Sequence, residues 1–211
     1  MQMVVVVGGN SREVGKTSVV AELIRALHHR NWTAIKLTQF GHGICSVDSE
    51  PCDCAPGEHP FVIQEEHDRS GNSDTSRFLE AGARRALWVR VRQEMLEAAI
   101  TDLRQAIAGE ENIILESNSI LHFFRPHLYL TVLDPAKKDF KDSARHFLDR
   151  ADACLVLEPG LEHSLWEGIS LEMVRSKPVF SIRKGCYVTP EITDFVESRL
   201  LASDHSPALL T

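Results

Sequence analysis

Short apolar runs alternate along the chain with longer stretches in which apolar residues recur every three or four positions. The runs MVVVV (3–7), TAIKL (33–37), ALWVRV (86–91), NIILE (112–116), LYLTVL (128–133), ACLVLE (153–158) and PVFSI (178–182) have strand length. Most lack the clean alternation of a strand with one wet face, which predicts strands buried on both faces. The periodic stretches 16–30, 75–82, 93–108, 140–151, 163–176 and 190–202 predict helices. Strand and helix in turn require crossover connections, so the expected fold class is α/β, a mostly parallel sheet with helices on both faces. Ligands of such sheets sit at the carboxyl ends of the strands, which directs attention to the residues just after 7, 37, 91, 116, 133 and 158.

One segment breaks the rhythm. Residues 39–73, QFGHGICSVDSEPCDCAPGEHPFVIQEEHDRSGNS, are rich in Gly, Pro, Ser and acidic side chains and too long for an ordinary connection. They predict an irregular insertion within a single domain spanning 1–211, serving as a flap, a metal-stapled loop or a mobile region.

The first strand candidate runs into GGNSREVGKTS, and KTSVVAELIRALHHR follows with helical period. Strand, glycine turn and helix start are the three parts of a phosphate cradle: the turn aims backbone N–H groups at an anion and the helix N-terminus adds its dipole. The nucleotide-binding set is therefore Gly9, Asn10, Ser11, Arg12, Glu13, Val14, Gly15, Lys16, Thr17 and Ser18. Lys16 is expected on the outer phosphates and Thr17 on a bound magnesium ion.

Counted from Gly9, five residues precede Gly15, one more than the usual four. This longer loop, ending E-V-G-K-T, resembles that of dethiobiotin synthetase and of the P-loop class that also holds the molybdopterin-guanine dinucleotide biosynthesis protein B family and several metallochaperone GTPases. The resemblance implies the P-loop NTPase three-layer sandwich and is closest to the molybdopterin-guanine dinucleotide family. Many members of the class carry an extra lysine early in the loop that reaches the partner's nucleotide across a homodimer. Here Ser11 stands at that position, with Arg12 beside it.

Magnesium on a nucleotide takes oxygen ligands, commonly a carboxylate at the end of a neighbouring strand. Glu116 ends NIILE and fits that place. In GNSDTSRFLEAGA (71–83), Ser73 or Asp74 is a candidate cap for a helix that ends at Gly82. The stretch also resembles a D-S-x-x-L-x-x-A-G-A segment of the molybdopterin-guanine dinucleotide family, matching at Asp74, Ala81, Gly82 and Ala83. That resemblance implies that Asp74 lies near magnesium and phosphates. Lys36, near the end of the second strand, is a candidate catalytic contact to phosphate or substrate, a role the same resemblances suggest; a lysine snorkelling to the surface is the alternative.

Cys45, Cys52 and Cys54, flanked by His42 and His59, offer ligands for Zn2+, but C-x6-C-x-C is no standard knuckle and free thiols are the competing expectation. Cys154 lies in an apolar run and is expected to be a small buried hydrophobe. Asp68 to Gly71 copies the D-x-x-G of GTPase switches, though an ordinary turn explains it as well. His122, Arg125 and His127 cluster near a strand start, and Glu158-Pro159-Gly160 follows a strand at the ligand edge. No N-K-x-D motif appears, so ATP and GTP both remain open.

A formal net charge of −7 over 211 residues, without a long Lys/Arg run, argues against nucleic acid and anionic membrane as partners. MQMVVVV is too short for a signal-peptide core, so a cytoplasmic location is expected. The expected function is magnesium-dependent nucleoside triphosphate binding with hydrolysis or phosphoryl transfer. The resemblance extends this to cofactor biosynthesis with a small-molecule or cofactor-pathway partner. The alternatives are a dethiobiotin synthetase-like ligase, a nucleotide-switched adaptor and a metal carrier.

Overall fold

The computed structural model describes residues 2–40 and 59–204. Eight strands, β1 (Met3–Gly9), β2 (Thr33–Phe40), β3 (Phe61–Glu65), β4 (Arg85–Arg92), β5 (Asn112–Glu116), β6 (Leu128–Leu133), β7 (Ala153–Leu157) and β8 (Val179–Ile182), form one sheet in the order β3-β4-β2-β5-β1-β6-β7-β8. All neighbours pair in parallel except β3, which lies antiparallel to β4 at the edge. Six α-helices accompany them among the described residues: α1 (Lys16–Ala26), α2 (Asp74–Glu80), α3 (Leu96–Ala106), α4 (Asp142–Phe147), α5 (Leu171–Arg175) and α6 (Pro190–Asp204). This is the expected three-layer α/β sandwich.

The layers follow from the two-residue period of the strands. One set of positions, including Val5, Val7, Ala34, Ala86 and Ile114, packs with Val19, Val20, Leu23 and Ile24 of α1, Phe78 and Leu79 of α2, and Ile192, Val196 and Leu200 of α6. The alternate set, including Val4, Val6, Ile35, Leu87, Val89, Ile113 and Leu115, packs against Leu96, Ala99, Ile100 and Leu103 of α3. Central strand β1 is buried at all seven positions, as an apolar run without alternation requires.

The structure corrects the sequence reading in places. Residues 39–73 are not irregular throughout: β2 extends to Phe40, and FVIQE forms β3. As an edge strand, β3 buries only part of its apolar surface, so no long apolar run advertises it. Of 163–176, only 171–175 is α-helical. Gly168 sits at φ 68, Ser170 caps the short helix that follows, and Trp166 and Ile169 pack from irregular backbone on the cluster around Leu133 and Phe140. The helix predicted at 16–30 ends in a 3₁₀ turn over 28–30 and left-handed Asn31. Among the described residues no helix is long and apolar enough to cross a membrane.

Candidate functional site

The register of three neighbouring parallel strands sets the site. Lys36 of β2 lies opposite Glu116 of β5, and Glu116 lies opposite Val7 of β1. Two residues earlier the same row holds Ala34, Ile114 and Val5, all packed under α1 and α2. The apolar face of the sheet therefore turns charged at its carboxyl edge. Just beyond Val7, the chain enters the loop that leads into α1.

Thr17, in the first turn of α1, donates to Glu116 Oε2 at 2.8 Å. Lys36 Nζ donates to Glu116 Oε1 at 2.6 Å and to Thr17 Oγ1 at 3.4 Å, and pairs with Asp74 Oδ2 at 2.8 Å. Glu116 is only 3% exposed along its side chain, whereas Asp74 is 45% exposed. Burial disfavours the Lys36 ammonium, but Glu116 and Asp74 outweigh it and hold the pKa above the ordinary lysine value. Thr17, Lys36, Asp74 and Glu116, four of the candidates named from sequence, thus meet at one point.

Asp74 reaches that point because of how α2 begins. Ser73 is the N-cap, and Ser73 and Ser76 form a reciprocal capping box, which leaves Asp74 in the first helical position. Gly82, at φ 104, closes the helix: its N–H and that of Ala83 bond the carbonyls of Leu79 and Phe78, the Schellman pattern. Arg77, in the last turn of α2, donates to Ser18 Oγ at 3.0 Å and so ties α2 to the start of α1.

Lys16 points back across the loop and donates to the Ser11 carbonyl at 2.7 Å. Burial depresses its pKa to about 8; Glu116 opposes this, while Lys141, Lys36 and Lys137 add to it. Gly15 sits at φ 94 and caps α1 without a side-chain bond. The first N–H groups of α1 therefore have no capping partner from their own chain start, the condition under which a helix N-terminus takes an anion.

The other loop residues divide by burial. Asn10, Ser11 and Val14 are buried, while Arg12 and Glu13 are exposed. Asn10 is a bracket: its Oδ1 accepts from Asp134 N at 2.9 Å, and its Nδ2 donates to the carbonyls of Asp134 and Asp139 at 3.4 and 3.1 Å. Ser11 Oγ donates to Asp139 Oδ2 at 2.8 Å, and Lys137 Nζ donates to the Arg12 carbonyl at 2.6 Å. Glu13 adopts φ 53, so the longer loop turns through left-handed backbone at both 13 and 15.

Several participants carry no motif. Asn118 Oδ1 accepts from Gly9 N and its Nδ2 donates to Gly9 O, both at 2.9 Å, locking the start of the loop. A side chain on Gly8 would collide with that amide and with the Tyr129 ring. Tyr187 packs its ring against Gly15, held by Glu22, whose carboxylate accepts from the Tyr187 and Val188 N–H groups at 2.8 Å each. Segment 134–141 follows β6 at the ligand edge, a signal that strand order alone supplied. Tyr187 offers no such signal, being 172 positions beyond Gly15 in sequence.

Other sequence candidates lie elsewhere. Arg125 and His127 line a cavity of about 320 Å³ at the amino end of β6, with Arg150 and Asp152, and His127 Nδ1 accepts from Val4 N. Asp68 accepts from Ser70 N, the ordinary turn expected of it. Glu158 is exposed beyond β7. Cys154 is fully buried, and burial pushes its thiol up to about 12. Cys45, Cys52, Cys54 and His42 lie outside the described residues, while His59 is exposed. Among the described residues no three His, Cys, Asp or Glu side chains cluster as a metal site.

No protein-family model and no curated protein matches the chain. Solved structures do. The hydrogenase maturation factor HypB from Archaeoglobus fulgidus superposes with a TM-score of 0.54 at 11% identity, over 94% of this chain and 90% of that one. HypB from Helicobacter pylori, solved in complex with nickel, gives 0.49 at 13% identity over 99% and 91%. Bacillus subtilis MobB gives 0.40 at 15% over 93% and 97%. At these identities the likeness is one of fold, and the chain has the P-loop NTPase fold.

Proposed function

We propose that the protein binds a nucleoside triphosphate, ATP or GTP, with magnesium on residues 9–18 and cleaves or transfers the terminal phosphate. The observation that carries this reading is the convergence of Thr17, Lys36, Asp74 and Glu116 beside Lys16 and the uncapped start of α1. The donor set suits magnesium, being all oxygen with two carboxylates and a hydroxyl; the Lys36 ammonium, which bonds all three here, would turn to the phosphates when the ion binds. Thr17, Glu116 and Asp74 would hold the ion directly or through water, and the ion would neutralise charge on the outer phosphates.

The chain's own residues divide the rest of the work. Lys16 and the loop amides offset phosphate charge in a buried setting where electrostatics are strong. Lys36 supplies a second cation at the same point, for the transferred phosphate or its acceptor. The resemblance of the loop and of 74–83 to the molybdopterin-guanine dinucleotide family supports a place in cofactor biosynthesis, with a small-molecule or pathway partner; a homodimer rests on the class alone, since Ser11 stands where its cross-subunit lysine would be. The sheet and its helices support one nucleotide-binding domain over 1–211.

Phosphate release from ATP and from GTP with magnesium tests the reaction. Wild-type protein is expected to turn over one or both, and Glu116→Gln, similar in shape but without the charge, to lose roughly a hundredfold of that rate. Equal rates for wild type, Glu116→Gln and Lys16→Ala would contradict the proposal.

A further inference from the structure

Lys141 has no part in any motif, yet its position is fixed against the head of the phosphate loop. Its backbone N–H donates to the Asn10 carbonyl at 2.8 Å. Two residues earlier, Asp139 accepts from Ser11 Oγ and, through its carbonyl, from Asn10 Nδ2. From the other side, Phe140 packs edge-on against Trp166, whose indole N–H donates to the Asp134 carbonyl at 3.2 Å. Segment 134–141 therefore has little freedom relative to residues 10–12.

The Lys141 ammonium is half-buried, and among the described residues it makes no hydrogen bond or ion pair. Burial lowers its pKa and Arg12 and Lys36 add repulsion, against which Asp139 and Glu116 act more weakly. The nearby carboxylates are otherwise engaged, Asp139 by Ser11 and Glu116 by Thr17 and Lys36. Lys137, by contrast, is spent on the Arg12 carbonyl. Lys141 is also the first cation acting against Lys16. Two desolvated ammonium groups thus repel each other across one loop, and neither has a carboxylate of its own. Buried charge of this kind is costly unless a counter-ion arrives.

We propose that Lys141 is a further lysine for the polyphosphate beside Lys16 and Lys36, supplied by the same chain as the loop, and that it favours ligands with three phosphates over shorter ones. The inference rests on the nucleotide reading above and goes beyond it by naming a residue and a preference. One multiply charged anion would relieve both ammonium groups, and a monophosphate offers too little charge and reach to do so.

Calorimetric titration with inorganic tripolyphosphate, pyrophosphate, ATP, ADP, GTP and GDP, each with magnesium, tests it on wild type, Lys141→Met, Lys141→Arg and Lys138→Met. Lys138 is the control, an exposed lysine paired with Glu167. Lys141→Met is expected to weaken tripolyphosphate and triphosphate binding about tenfold or more, and to weaken diphosphate binding less. Lys141→Arg should keep most of the affinity, and Lys138→Met all of it. Ligand-free Lys141→Met should melt no lower than wild type, since an unpaired half-buried charge has been removed; a merely structural lysine would lower melting and leave affinity alone. Triphosphate binding by Lys141→Met within twofold of a wild type that does bind overturns this inference alone. A wild type that binds neither nucleotide nor tripolyphosphate overturns the nucleotide reading as well.

Discussion

Lys16 is the residue on which the site turns, and its environment makes a pH prediction with a definite sign. Burial, aided by repulsion from Lys141, Lys36 and Lys137, lowers its pKa from the usual 10.5 to about 8. Between pH 8 and 10.5 the unfolded chain therefore holds a proton on this lysine that the folded chain has given up. Stability of the ligand-free protein contributed by this group consequently rises with pH across that window. Phosphate needs the ammonium, so nucleotide affinity should change in the opposite sense and fall as pH rises through 8. Titrations at pH 8 in two buffers of different ionisation enthalpy should show net proton uptake on binding; affinity flat from pH 7 to 9.5 with no proton uptake would refute this account of Lys16.

Residues of this kind differ in how visible they are in sequence. Glu116 and Lys36 are legible because a charged side chain ending an apolar strand is an anomaly that burial alone does not explain. Lys16 and Thr17 are legible because the loop imposes their spacing. Asn118 and Lys141 are not, because each acts on backbone that only folding brings near. Asn10 is the instructive case. It occupies a loop position, yet its amide is committed to Asp134 and Asp139.

At the scale of elements, period and run length suffice where burial is two-sided. β5 and β6 have their predicted bounds, 112–116 and 128–133, because both lie in the middle of the sheet. The reading fails at the edges: β3 is half-buried and antiparallel, and 163–176 packs apolar side chains without a long helix. Joints between elements are less visible still. Asn118 fastens the turn after β5 to the end of β1, satisfying a buried N–H and a buried carbonyl together. Asn118→Ala should therefore cost about 2 to 3 kcal/mol in urea unfolding, because both Gly9 groups lose their partner. A loss below about 0.5 kcal/mol would mean that the loop is held elsewhere.

At the scale of the molecule, an acidic chain of net charge −7 concentrates cations at one place. Lys16, Lys36, Lys137 and Lys141 gather at the carboxyl edge of the sheet where β1, β2, β5 and β6 end. The sheet positions them in space though they come from distant parts of the chain. Lys36 is balanced by two carboxylates and Lys137 lies 3.9 Å from the Glu13 carboxylate, and the positive charge of Lys16 and Lys141 is what a nucleotide's phosphates would answer. Calorimetric titration of ATP and of GTP, each with magnesium, into wild type and Lys16→Ala tests that claim most directly. Saturable one-site binding of at least one nucleotide to wild type, weakened about a hundredfold or more in Lys16→Ala, is the expected result. Absence of binding by wild type, or equal binding by the variant, would contradict it.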